Sequence, residues 1–269
     1  MSDRYAVIGN PVAHSKSPMI HAAFAQQTGQ QLVYEKILAP LDDFRGTVNA
    51  FRQNGGRGLN VTLPFKEEGL MLADEASARA KAAGAANTLR FDVDRVYADN
   101  TDGVGLVQDI QGNRAFSLQG RSVLLLGAGG AARGVIAPLL EAGVSRLSIA
   151  NRNIEKAQGL ATRFPIAAIA YAALAGQAFD LVINATSASL SNELPPLPEG
   201  VFAPGAMAYD MMYGKGETPF LAFAHSQGAT YCADGLGMLV EQAAASFYIW
   251  RGVQPATASV LSQLRAALN

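Results

Sequence analysis

The sequence predicts an α/β protein in two domains, and three observations carry that expectation. Short apolar runs alternate with helix-like segments along most of the chain, the order of a mostly parallel sheet with helical crossovers. A chain of 269 residues is long for a single hydrophobic core. The stretch Ser122-Val123-Leu124-Leu125-Leu126 runs straight into Gly127-Ala128-Gly129-Gly130-Ala131-Ala132, a buried strand closed by glycines that opens into a helix. Gly127-x-Gly129-x-x-Ala132 has the spacing of the dinucleotide fingerprint of a Rossmann-type, doubly wound domain. Gly127 permits the tight turn and Gly129 lets the backbone approach a pyrophosphate. Ala132 keeps the helix close to the strand, and the free N–H groups of the helix start face the phosphates. A strand-to-helix turn needs glycine with or without a ligand. The cofactor reading therefore rests on residues further along.

The elements follow in order. Tyr5 to Gly9 is a strand ending in glycine, and Asn10 to Lys16 a polar loop. Ser17-Pro18 reads as an N-cap with proline at the first helical position, for a helix ending near Gly29. Leu32 to Leu38 is a second strand, and Asp42-Asp43 starts a helix with Phe44, Val48 and Phe51 on one face. Asn54 to Gly58 reads as a turn and Leu59 to Thr62 as a third strand. Pro64 leads through Phe65-Lys66-Glu67-Glu68 into a helix. Ala85 to Phe91 and Arg95 to Asp99 form a hairpin around Asp92-Val93-Asp94, and Asn100 to Gly103 open a helix through Leu106 and Ile110. After the glycine loop come strands at 147–150, 180–184 and 207–211, a helix from Ile154 to Phe164, and a proline-rich loop at 194–198. Helices from Met238 to Trp250 and Pro255 to Leu268 close the chain and are expected to return to the first domain. The expected domains are residues 1–103 with 237–269 for substrate, and 104–236 for a dinucleotide.

Composition excludes several classes. Hydrophobic residues make up 49% and charged residues 16%, so the chain is not of the disordered kind. A net charge of −1 without a basic stripe argues against a nucleic-acid partner. Cys232 is the one cysteine, and with His14, His21 and His225 it forms no zinc-ligand spacing; no metal is expected. The start of the chain has no signal-peptide pattern, and the most apolar region, near residues 166–179, contains Gln177 and is closed by Asp180, too soon for a membrane span. The expectation is a cytoplasmic protein with a small-molecule substrate and no membrane partner; a homodimer is the assembly to test for.

An NAD site places Asp or Glu at the end of the second strand, on the ribose 2′-hydroxyl. Here that strand ends Ile149-Ala150-Asn151-Arg152-Asn153, without a carboxylate, and Lys156 lies one helical turn beyond Arg152 on the same side. Basic residues at a helix start are commonly no more than solvated charges. Next to the glycine loop they favour a 2′-phosphate: one charge-assisted hydrogen bond contributes roughly 1.5–3 kcal/mol, about ten- to a hundredfold in affinity. NADP is the expected cofactor.

Carbonyl reduction also needs a proton donor. Lys66 follows the strand at 59–62, and open α/β sheets place ligands at the C-terminal ends of strands. Asp102 ends a strand-like run in the same way, and a carboxylate beside a lysine holds the ammonium in place. Taken singly, either residue fits a surface ion pair or helix cap as well.

Six segments together resemble the shikimate dehydrogenase family in order and spacing, from near residue 5 to about residue 250. They are His14 to Pro18, Asn60 to Lys66, Ala86-Asn87-Thr88, Asn100 to Gly103, Asn184-Ala185-Thr186-Ser187 and Asp234 to Leu239. The resemblance implies reversible NADPH-dependent reduction of 3-dehydroshikimate on the route to chorismate and the aromatic amino acids. It implies Lys66 as acid/base with Asp102 as its partner, both touching substrate hydroxyls. Ser15 and Ser17 would take the substrate carboxylate with Tyr213 near it, and Thr62, Asn87 and Gln242 would hold ring hydroxyls. Gly127, Ala128, Gly129, Gly130, Ala131, Asn151, Arg152, Lys156 and Thr186 would bind NADP, with Met211 and Gly235 at its nicotinamide end. The sequence departs from the family pattern at Asn153, commonly threonine, and Ser189, often glycine. A quinate/shikimate dehydrogenase able to use NAD and a non-catalytic NADP sensor are the competing readings. Ser15 and Arg152 weigh against the first, Lys66 with Asp102 against the second.

Overall fold

The structure, a computed structural model, describes residues 2–186, 188 and 193–268. The chain divides into two compact units, Met1–Gly105 with Val240–Gln263 and Leu106–Leu239 with Leu264–Asn269. This differs from the expected division at the end of the chain. Residues 264–269 group with the second unit, where Leu264 is buried and Arg265 pairs with Asp234.

The first unit contains β1 (Asp3–Gly9), α1 (Ser17–Thr28), β2 (Leu32–Leu38), α2 (Phe44–Gln53), β3 (Gly56–Val61), α3 (Lys66–Met71), β4 (Glu75–Ala76), α4 (Ala78–Ala83), β5 (Thr88–Phe91) and β6 (Val96–Asp99). Its sheet runs β2-β1-β3-β5-β6-β4. The pairs β1–β2, β1–β3 and β4–β6 are parallel, while the hairpin makes β3–β5 and β5–β6 antiparallel. Phe44, Val48 and Phe51 are the buried residues of α2, at the helical spacing expected, and Asp43 caps the helix by accepting from Gly46 N–H at 3.0 Å. Two local expectations fail. Ser17 lies inside α1, whose cap position is Lys16, and no side chain caps the helix. The glycine cluster at 54–58 is also only partly a turn. Gly55 turns the chain at φ +83°, but Gly56 and Gly58 belong to β3, where a Cβ would stand 2.3 Å from the Phe51 ring and 2.5 Å from Trp250 Nε1. These two glycines make room for aromatic side chains, a need that turn chemistry does not reveal.

The chain passes into the second unit within α5 (Asp102–Gln108). There follow β7 (Ser122–Leu126), α6 (Gly130–Glu141), β8 (Arg146–Ala150), α7 (Ile154–Ala161), β9 (Ala167–Ile169), β10 (Phe179–Asn184), β11 (Phe202–Asp210), α8 (Pro219–Ser226) and β12 (Tyr231–Asp234). The sheet order is β12-β11-β10-β7-β8-β9, parallel at every pairing. This is the doubly wound order, with its switch point between β7 and β10. The run Val123 to Leu126 is apolar because both its faces are covered. Val123 and Leu125 pack with Val135, Ile136 and Leu139, while Leu124 and Leu126 pack with Phe179 and Phe220. Then α9 (Leu236–Arg251) and α10 (Ala258–Leu268) each begin in one unit and end in the other. Among the described residues no helix is long and apolar enough to cross a membrane.

Candidate active site

In the first unit, packing brings Lys66 into place. Phe65 is fully buried and stacks on Phe44 with ring centroids 4.7 Å apart. Burial of such a side chain stabilises by roughly 1.5–3 kcal/mol and fixes the start of α3, whose first residue is Lys66. Thr62 precedes it and donates its N–H to Ile8 O at 2.9 Å. A Cβ on Gly9 would stand 2.3 Å from Thr62 Cγ2, so glycine is what lets these segments meet.

Asp102 is the first residue of α5, three positions past the end of β6, and not the end of a strand. An acidic group in a helix's first turn is favourably placed in the helix dipole. Lys66 Nζ donates to Asp102 Oδ2 at 2.6 Å, with the lysine side chain 23% and the aspartate 11% exposed. Asn87 Nδ2 donates to Asp102 Oδ1 at 2.8 Å, to Thr101 Oγ1 at 2.9 Å and to Gln242 Oε1 at 3.2 Å. Its carbonyl oxygen accepts Thr101 N–H at 2.8 Å. Every polar atom of that amide is engaged, which fixes which way it faces.

The network continues through residues to which the sequence assigned no role. Ser246, fully buried on α9, meets Thr88 Oγ1 at 2.7 Å and accepts Asn60 Nδ2 at 3.0 Å. Asn60 Oδ1 accepts the Tyr34 hydroxyl at 2.7 Å and lies 3.2 Å from His21 Nε2. Because Asn60 Nδ2 donates, Oδ1 is the acceptor and His21 carries its proton on Nε2. His21 is fully buried, stacks on Tyr34 at 4.3 Å, and desolvation lowers its pKa to about 3. It is a neutral structural residue. Burial likewise pushes the Tyr34 phenol well above its usual range, against a hydrogen bond with Ser17. Ser17 sits 3.2 Å from Ser15 Oγ, which donates to it. A line of hydrogen bonds thus joins the serine loop to Lys66 through Tyr34, Asn60, Ser246, Thr88, Asn87 and Asp102. The one signal for Asn60 in the sequence is a polar residue inside an otherwise apolar strand.

Tyr213 belongs to the second unit, where burial first, and then the charge of Asp234, raises its pKa. In that unit the glycine loop has the geometry that a dinucleotide requires. Gly127 has φ +102°, and a Cβ there would press within 3.1 Å of Thr186 Cγ2 and 3.2 Å of Ala185 O. Gly129 has ordinary backbone angles and occupies the N-cap of α6, yet a Cβ there would meet no protein atom within 4 Å. Space is thus kept open at the start of a twelve-residue helix without an acidic residue in its first turn, as an anionic phosphate needs. Ala128 and Ala131 pack at the edge of the core there.

Thr186 is held by Asn184 Oδ1, which accepts its hydroxyl at 2.6 Å, and Asn184 Nδ2 donates to Asp210 Oδ1 at 3.1 Å. Asp210 also accepts Met212 N–H at 3.0 Å and the Thr218 hydroxyl at 2.6 Å, tying down the segment that carries Met211. Arg152 extends into solvent, 76% exposed, and pairs with Glu193 at 3.1 Å. Nothing local in the sequence marks that opposing carboxylate, which lies far from Arg152 along the chain. Asn151 Nδ2 donates to Asn153 O at 2.8 Å, and Asn153 caps α7 by accepting Lys156 N–H at 3.3 Å. Asparagine caps as threonine does, which accounts for Asn153 structurally. Ser187 and Ser189 lie outside the described residues.

Comparison with known proteins agrees along the whole chain. The family model for the shikimate dehydrogenase substrate binding domain matches residues 7–89, that for shikimate / quinate 5-dehydrogenase residues 108–192, and that for the shikimate 5'-dehydrogenase C-terminal domain residues 235–265. Shikimate dehydrogenase (NADP(+)) of Dechloromonas aromatica is 61% identical over 272 residues, covering 100% of this chain and 99% of its own length. An Ael1 enzyme from Pseudomonas putida superposes with a TM-score of 0.93 at 53% identity, over 98% of both chains. Shikimate 5-dehydrogenase of Thermus thermophilus, solved in complex with NADP(H) and shikimate, superposes with a TM-score of 0.90 at 34% identity, over 99% of this chain and 100% of that one. With full-length identity at this level and three family models in register, this chain belongs to the shikimate dehydrogenase family.

Proposed function

We propose that this chain is an NADP-dependent shikimate dehydrogenase, reducing 3-dehydroshikimate reversibly to shikimate on the route to chorismate and the aromatic amino acids. The observation that carries this reading is the Lys66–Asp102 pair at 2.6 Å, locked to Asn87 and through it to Gln242. NADPH, when bound, supplies the hydride to the substrate carbonyl carbon. Lys66 delivers a proton to the carbonyl oxygen during reduction and takes it from the hydroxyl during oxidation. Asp102 holds the ammonium in place and, with Thr62, Asn87 and Gln242, meets the ring hydroxyls. Sites built to pair with hydroxyls reject analogues that lack them by large factors, because their own polar groups would be left unpaired. Ser15 and Ser17 take the carboxylate, with Tyr213 as a further contact. Gly127 to Ala131 and Thr186 hold the pyrophosphate region, Asn151, Arg152 and Lys156 the 2′-phosphate end, and Met211 and Gly235 the nicotinamide end. A cytoplasmic location and a homodimer belong to the same proposal, to be checked by fractionation and light scattering.

The deciding experiment is a spectrophotometric assay crossing shikimate and quinate with NADP and NAD. Turnover confined to shikimate with NADP is the expected result. Comparable turnover of quinate or with NAD would make this a broad quinate/shikimate dehydrogenase, and no turnover in any arm would overturn the assignment.

A further inference from the structure

The first turn of α9 rests on two buried carboxylates, both in the second unit. Asp109 is fully buried, accepts the Tyr209 hydroxyl at 2.7 Å and lies 3.7 Å from Arg114 Nε. It sits under Gly237, where a Cβ would stand 2.0 Å from its Oδ1. Asp234 ends β12, is 8% exposed, and accepts Leu236 N–H at 3.3 Å as α9 begins. Between Asp234 and Leu236 lies Gly235, whose N–H donates to Met212 O at 3.0 Å. A Cβ on Gly235 would stand 2.2 Å from the carbonyl oxygen of Met211. Met211 and Gly235 thus touch backbone to backbone, and a small shift of the β12–α9 turn would separate them.

What holds that turn is a side chain from the end of the molecule. Arg265, on α10, grips Asp234 with both terminal nitrogens: Nη1 donates to Oδ2 at 2.6 Å and Nη2 donates to Oδ1. A two-pronged pair fixes the carboxylate plane as well as its charge. Only Asp234 is buried, the Arg265 side chain being 38% exposed. Removing the arginine leaves that buried carboxylate without its partner, which favours local rearrangement. We propose that Arg265 is a positioning residue for the reactive end of the cofactor, acting through Asp234 to keep Gly235 seated against Met211. The proposal rests on the reading that Met211 and Gly235 border the nicotinamide. Arg265 touches neither substrate nor cofactor on this view. Its effect is on the placement of the hydride donor, and displacement on the ångström scale is costly to turnover.

The test uses Arg265→Met, Arg265→Lys and the double variant Arg265→Met/Asp234→Asn, which removes the stranded charge and keeps an acceptor for Leu236 N–H. Arg265→Met should lower kcat about tenfold, while the KM for NADPH and the Kd of adenosine 2′,5′-bisphosphate, by calorimetry, change less than about twofold. In the ligand-free protein, amide exchange at Gly235 and Leu239 should accelerate about tenfold. Arg265→Lys, which restores the charge without the two-pronged grip, should recover only part of the lost turnover. The double variant, which relieves the stranded charge but has no grip, should stay low, and its recovery to the unaltered rate would overturn the proposal. These two carry the test if Arg265→Met does not fold. A lowered Tm with kcat and Gly235 exchange unchanged would overturn the proposal, as would equal weakening of the bisphosphate. Gly235→Ala separates the two layers. If it leaves kcat unchanged, the nicotinamide reading fails and the proposal with it; if it lowers kcat and Arg265→Met does not, only the proposal fails.

Discussion

The candidate substrate groups of the first unit and the candidate cofactor groups of the second are built on opposite principles. In the first unit the candidate substrate groups are bonded to one another: Lys66 to Asp102, Asp102 to Asn87, Asn87 to Gln242, with Asn87 and Asp102 largely buried. In the second unit two of the candidate cofactor groups, Gly129 and Arg152, stand apart from one another. Gly129 faces open space, and Arg152 is exposed and pairs with a solvent-accessible carboxylate. Interlocked groups behave as a unit when one is removed, whereas separated groups contribute independently. The polar network is therefore where changes should be large and non-additive, and the glycine loop and basic pair where they should be smaller and separable.

The sharpest way to break that contrast is at Lys66. Lys66→Ala should lower kcat by about 10²–10⁴-fold, the usual range for a general acid/base. Adding Asp102→Asn should cost little more, since both act in one step. Fully additive losses would show the pair to be two independent groups. Next in size, Arg152→Ala should raise the KM for NADPH about ten- to a hundredfold, in line with loss of a charge-assisted bond, and leave NADH nearly unaffected. Equal losses for both cofactors would move Arg152 away from the 2′-phosphate. Gly129→Ala should weaken NADPH about tenfold while leaving Tm unchanged, because the added methyl group meets no protein atom. A fall in Tm without loss of affinity would make Gly129 a structural glycine like Gly127.

The smallest effect tests the buried side of the comparison by pH. His21 has a folded-state pKa lowered to about 3 from 6.5. Below pH 6.5 the unfolded chain takes up a proton that the folded chain refuses, so this histidine's contribution to stability falls as the pH drops toward 3. Between pH 7 and pH 5 that loss is about 2 kcal/mol. Urea unfolding of His21→Gln beside the unaltered protein should show a correspondingly shallower decline. Parallel curves would mean that His21 is not held neutral by burial.

The legibility of the sequence follows the same division. Strands with continuous apolar runs, such as Val123 to Leu126, could be read because burial on both faces leaves a local signature. So could α2, with Phe44, Val48 and Phe51 at helical spacing. The short strands β4 and β9 have no such signature, and they exist because a neighbouring strand offers them partners. Ser17 was misread as a cap because the same dipeptide chemistry serves an interior first-turn position. Gly56 and Gly58 read as turn residues because the aromatic groups that need their space come from other elements: Phe51 reaches Gly56 only when α2 packs on β3, and Trp250 comes from far along the chain.

Local residue chemistry alone determined the glycine turn, the missing carboxylate after β8 and the alternation that calls for parallel sheets. The six motifs, by resemblance, named Lys66 and Asp102. Only the tertiary structure decided that Asn60, Ser246 and Tyr34 join the serine loop to that pair, that Glu193 faces Arg152, and that Arg265 closes on Asp234. Each of those contacts links residues from dozens to nearly two hundred positions apart. A hydrogen bond across such a separation leaves no periodicity and no local propensity in the chain, because its energy is realised only once the intervening sheet has folded.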